Sequence, residues 1–286
     1  MAEAAQIKID EELKIKLRGL ADKYEVASFT EEDPSQFLRW YQPEAGWGSV
    51  ADVEAASFIA AMLAFGNRKQ FIPKIRSILE TSDRSLGSIS QWLKQGKYTS
   101  DFPTGAAKFY RFYSFDDMQI FFGELADILN QAGSLGEFIK IKYKEGKAFP
   151  SLQPAARSCA TPSNGGHPRN APAVLHEILS SSFPKSAIVP KGRSSANKRI
   201  HMFLRWMVRQ GSPVDLGLWD WADPASLIIP LDVHVMQEAA KLGLIPPTAA
   251  ASRKTAEGLT AALKEVFPGD PCRGDFALFG LGVDVI

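Results

Sequence analysis

Two side chains in this 286-residue chain could together perform nucleophilic chemistry. Lys198 follows Asn197 and opens an amphipathic pattern in which Ile200, Phe203, Leu204 and Met207 form one stripe. A lysine in the first turn of a helix sits against the positive end of the helix dipole. Beside Arg199, it is expected to hold its proton weakly and to serve as an amine nucleophile. The plainer reading is a solvated surface charge. The second side chain is Asp232, delivered to the start of a helix by the apolar run Leu227-Ile228-Ile229-Pro230-Leu231. It reads as an N-cap and, equally, as a rigidly held carboxylate able to accept a proton or stabilise positive charge. His234, two residues on, is either a phosphate contact or a structural histidine.

Lys198 lies within a stretch that has no acid. From Glu177 to Asp215 the chain carries Lys185, Lys191, Arg193, Lys198, Arg199, Arg205 and Arg209. Because the whole chain is only +1, this is a local concentration of charge. It points either to an anionic partner such as a phosphate backbone or to acids elsewhere folding over it. Inside it, Val189-Pro190-Lys191-Gly192-Arg193-Ser194-Ser195 reads as a turn before a capped helix, whose free N–H groups suit an anion. Lys191 is a rival nucleophile to Lys198. Other chemistries find no support. Cys159 and Cys272 are too few and too far apart for a thiolate zinc or four-cysteine cluster, and the four histidines have no ligand spacing, so no metal and no cofactor is expected. No Gly-rich nucleotide loop or Gly-x-Ser-x-Gly elbow occurs. The cluster Asp215, Trp219, Asp220, Trp221, Asp223 could stack on a base or pack between helices.

The elements that must position these residues read as helices. Periodicity predicts them over 11–24, 52–65, 69–79, 88–95, 106–112, 116–131, 134–143, 174–182, 197–210, 232–242, 255–267 and 275–283. Period-two alternation is scarce, so the fold class is all-α. The proline-rich segment 144–173 reads as a long loop or insertion. The longest apolar run, Phe58 to Phe65, is far short of a membrane span, and Met1–Lys8 lacks a leader pattern, so a cytoplasmic location is expected.

A helix that opens on a lysine, followed 34 residues later by Pro230-Leu231-Asp232-Val233-His234, resembles the helix-hairpin-helix DNA glycosylase superfamily. Its lyase-capable members carry such a lysine and such an aspartate, and the spacing is nearest the archaeal 8-oxoguanine glycosylase branch. Phe58 to Arg68 looks like the buried helix of those enzymes and the loop that ends it. The superfamily hairpin Leu-Pro-Gly-Val-Gly is here Val189-Pro190-Lys191-Gly192-Arg193. The segments Met202–Arg209, Asp215–Trp219, Ile229–Asp232 and Asp275–Gly280 also resemble a bacterial family of conserved hypothetical proteins, over most of 52–283.

The resemblance implies a two-lobed helical fold, one lobe over about 52–182 and the other combining 1–51 with 183–286. It implies a monomeric base-excision glycosylase with lyase activity on damaged double-stranded DNA, through Lys198 and Asp232. Asn67 with Arg68 would face the minor groove. Lys191, Gly192, Arg193, Ser194, Arg199 and His234 would hold the strand. Trp206 and Trp219 are candidates for the base pocket. The alternatives are a non-catalytic nucleic-acid-binding module, for RNA or DNA, and a protein-interaction domain with a basic face.

Overall fold

The computed structural model describes residues 9–31, 33–42, 48–145 and 174–283. The expected loop therefore lies outside the described residues from 146 to 173, as do Cys159 and His167; Lys144 closes a helix. The fold is predominantly helical. In chain order the helices are α1 (Glu11–Tyr24), α2 (Val50–Leu63), α3 (Arg68–Leu86), α4 (Ile89–Lys94), α5 (Tyr98–Asp101), α6 (Phe115–Ala132), α7 (Leu135–Lys144), α8 (Leu175–Ser181), α9 (Lys198–Val208), α10 (Val233–Lys241), α11 (Arg253–Val266) and α12 (Gly274–Val283). Short 3-10 turns cover Ala27–Thr30, Pro34–Arg39, Pro224–Ser226 and Pro271–Arg273.

Residues 106–112, expected as a helix, instead form half of a hairpin. Strand β1 (Lys108–Tyr110) pairs antiparallel with β2 (Tyr113–Ser114) across the turn Arg111-Phe112. The apolar spacing there mimics a helical turn. The aromatic pairs suit a strand, and Arg111 at φ 50° is left-handed backbone that a helix cannot contain.

Side chains pack into two cores. The larger surrounds α2, which is buried on every side, and takes in α3, α4, α6, α7, α8 and the hairpin. The apolar stripe of α9 (Ile200, Phe203, Leu204, Met207) belongs to this core too, with Phe203 edge-on to Phe58 of α2 at 5.0 Å. The smaller core joins α1, α10, α11 and α12. An N-terminal capping box holds α2 in place: Ser49 and Asp52 cap each other's N–H groups, and Asp52 Oδ1 also accepts from Ser88 Oγ at 2.6 Å and Ser90 N at 2.8 Å.

A buried ion network links α9 to the smaller core. Arg205 pairs with Asp215 and with Asp275 of α12. Arg209 pairs with Asp215 at 2.5 Å, Asp270 at 2.8 Å and Glu25 at 2.7 Å, and Glu25 in turn pairs with Arg273. Both guanidinium groups are almost fully excluded from water. Two charges of the acid-free stretch are thus neutralised by buried acids, Asp215 at its edge and Glu25, Asp270 and Asp275 from elsewhere in the chain, and the phosphate reading does not apply to them. Among the described residues no helix is long and apolar enough to cross a membrane.

Candidate active site

Lys198 is the first residue of α9, and the chain reaches it through a tied turn. Asn197, at φ 44°, donates from Nδ2 to the Gly192 carbonyl at 2.7 Å, and Ser194 O accepts from Arg253 N at 2.8 Å. Asp232 is the N-cap of α10. Its two oxygens are divided: Oδ1 accepts from Val235 N at 2.9 Å, and Oδ2 accepts from Lys198 Nζ at 2.8 Å. The helix cap therefore sets the angle of the carboxylate and leaves one oxygen for the lysine. Partial burial acts to raise the Asp232 carboxyl. The Lys198 ammonium, the Val235 N–H and nearby His234 outweigh it and hold it below the usual carboxylate range.

The pair is reachable from solvent. The Lys198 side chain is 36% exposed and that of Asp232 17%. Both line a cavity of about 600 Å³, a volume suited to a small organic group. Its walls come from both cores: Ala64, Phe65, Gly66, Arg68 and Phe71 from the end of α2 and the start of α3, Met202 from α9, His234 from α10, and Phe279 and Gly282 from α12. Asp33 and Pro34 complete it. Arg68 lies 3.8 Å from Asp33 and its guanidinium stands 5.4 Å from the Phe279 ring centre.

The other expected residues fall into three groups. Arg68 and His234 line the cavity. Asn67 is exposed beside it and caps α3, its side chain accepting from Lys69 N at 2.9 Å. Arg199 points away, donating to Met62 O at the end of α2 and to Tyr113 OH at 3.2 Å, with Phe65 under its guanidinium at 4.8 Å. Lys191 does not reach the cavity. It donates to the Pro184 and Ser186 carbonyls and braces its own loop, where burial lowers its proton affinity. Gly192, Arg193 and Ser194 are exposed on that loop.

Trp206 and Trp219 are core residues and do not line the cavity. Trp206 is wholly buried in the larger core, and Trp219 donates to Glu54 Oε1 at 2.8 Å. Their positions follow from packing: Trp206 is enclosed by the α9 face turned into the core, and Trp219 stands edge-on to Phe203. Sequence reading missed Asp33, Phe65, Met202 and Phe279. Asp33-Pro34 signals only a turn, and the other three are apolar residues in core-like runs, so residue type carried no sign of a cavity. Among the described residues no group of three or more His, Cys, Asp or Glu could hold a metal ion.

The family described as protein of unknown function (DUF2400) matches this chain over residues 33–284, which includes every residue of the cavity. No curated protein and no solved structure matches it.

Proposed function

The chain belongs to the DUF2400 family, and for this member we propose, from the site described above, a base-excision DNA glycosylase with lyase activity, acting as a monomer on duplex DNA through an amine nucleophile. The observation that carries this reading is the 2.8 Å contact between Lys198 Nζ and Asp232 Oδ2 at the wall of an open cavity of about 600 Å³. An amine and a carboxylate 34 residues apart in sequence meet where a small group can enter, and each is oriented by the start of its own helix.

Chemistry on a base requires the nucleotide to leave the stack and enter such a cavity. Transfer of one ammonium proton from Lys198 to Asp232 frees the nitrogen lone pair. The amine then attacks C1′ of the extruded nucleotide. The C1′–N bond breaks, and its electron pair leaves with the base, which takes the second proton from the new C1′–N bond's nitrogen. Asp232 returns its proton to O4′ as the C1′–O4′ bond opens, and Nζ and C1′ are left as an iminium. Asp232, ionised again, takes the C2′ proton, the C3′–O bond breaks with its electron pair leaving on the 3′ phosphate, and water hydrolyses the remaining iminium to release the lysine. Between returning one proton and taking the next, Asp232 is ionised and stands beside the iminium, stabilising the positive charge shared by Nζ and C1′. Arg68 and His234, on the same wall, can contact the sugar–phosphate of the strand.

The test is reduction with borohydride in the presence of DNA containing an abasic site or a panel of damaged bases. The expected result is a covalent protein–DNA adduct that Lys198→Ala abolishes. Absence of an adduct and of strand cleavage across the panel overturns the reading.

A further inference from the structure

Beside the cavity stands a feature that the chemistry above does not use. The hairpin turn Arg111-Phe112 lies against Phe65 and Gly66 of the cavity wall, and Phe112 is 59% exposed, the most exposed phenylalanine among the described residues. An isolated surface aromatic needs no explanation, but this one is built up from below. Its ring lies 4.5 Å from Tyr113, edge to face, and 5.4 Å from Phe65, itself part of the cavity wall. The hairpin is locked to that wall, because Tyr110 OH donates to the Phe65 carbonyl. Gly66, at φ 83°, holds backbone that disfavours any side chain, and a Cβ there would meet the Arg111 guanidinium at 2.7 Å and Tyr110 OH at 2.9 Å unless those groups shifted. The left-handed backbone of Arg111 is held by these contacts. Lys108 Nζ donates to the Phe112 carbonyl at 2.9 Å, which fixes the turn from its other side.

The charge around this ring selects its occupant. Lys108 and Arg111 are exposed on the hairpin and Lys69 on the adjoining first turn of α3. The nearby acids are engaged in the fold: Asp116 accepts from Gly105 N and Asp117 caps α6. An exposed flat apolar face flanked by Lys108 and Arg111, next to a cavity for a small group, matches a nucleobase with its phosphate. We propose that the tip of this hairpin is a nucleobase-stacking platform, on which an unpaired base flanking the nucleotide in the cavity stacks against Phe112 while Arg111 and Lys108 meet the adjoining phosphates. This rests on the nucleic-acid reading above and adds a preference: strands opened next to the target bind better than strands paired there.

The test uses Lys198→Ala protein, so that no probe is consumed, and oligonucleotides with a tetrahydrofuran abasic analogue flanked by 2-aminopurine. The flank is either unpaired or fully paired, and all are compared at one salt concentration. The unpaired flank is expected to bind more tightly and its fluorescence to be quenched. Phe112→Ala is expected to weaken binding about ten- to a hundredfold and to remove the quenching, while Phe112→Trp keeps both. Binding within twofold of the parent in Phe112→Ala, or equal loss in Phe112→Ala and Phe112→Trp, overturns the platform. If Phe112→Ala with Lys198 intact still forms the borohydride adduct but shows neither loss, the platform fails and the lyase reading stands. No binding of any oligonucleotide overturns both.

Discussion

At the scale of single residues, the division of labour in Asp232 is the sharpest handle. One oxygen caps α10 and the other meets Lys198. Asparagine caps helices as well as aspartate but cannot take the proton. Asp232→Asn is therefore expected to leave stability within about 0.5 kcal/mol of the parent while base excision falls roughly 10²- to 10⁴-fold. Urea unfolding and single-turnover excision measure the two separately. Excision unchanged in Asp232→Asn would mean that the residue is only a cap. This pair was legible in the sequence because both residues stand at helix starts, where type and position together carry information. Trp206 and Trp219 misled because an indole is equally at home on a base and in a core, and only burial distinguishes the two.

At the scale of elements, helices were readable from apolar content or spacing, as for α2, apolar nearly all round, and the stripe of α9, and most sharply where a cap residue agreed with it, as at Asp232 of α10. The 106–112 segment was not, since its spacing of Phe109, Tyr110 and Tyr113 fits a helix until the Arg111 turn is known. Nor was the fate of the acid-free stretch. Of its seven cations, Arg205 and Arg209 lie in buried ion pairs, Lys198 is matched by Asp232, and Lys191 and Arg199 are spent on carbonyls. Lys185 and Arg193 remain on the surface. Of the neutralising acids, Asp215 closes the stretch itself, while Glu25 at the end of α1, Asp270 before the 3-10 turn at 271–273 and Asp275 of α12 are distant, and no local pattern announces those three. These pairs hold α9, which carries Lys198, against α12, which supplies Phe279 to the cavity. Asp215→Ala strips a shared partner from both arginines and is expected to cost about 3–5 kcal/mol in denaturant unfolding. A loss below 1 kcal/mol would show that the network does not hold the two cores together.

At the scale of the whole molecule, stability should depend on acid through two buried histidines. His176 and His201 lie with ring centres 4.8 Å apart between α8 and α9. Burial, together with nearby Arg253, pushes His176 down to about 4; burial, then His176 and Arg253, pushes His201 down to about 3. The unfolded chain takes up protons near pH 6.5, and the folded chain resists until these lower values are reached. Stability is thus present above about 6.5 and is lost as the pH falls toward 4, by a few kcal/mol for the pair. Urea midpoints measured across this window should fall, and His201→Leu should flatten the curve. An unchanged slope in that variant would place the acid sensitivity elsewhere.

The central claim is that Lys198, and no other amine, forms the covalent bond to DNA. Borohydride reduction on abasic DNA, followed by nuclease and protease digestion and mass spectrometry, locates the adduct. The sugar remnant is expected on the peptide that contains Lys198. A remnant on Lys191 or on the N-terminal amine would contradict it.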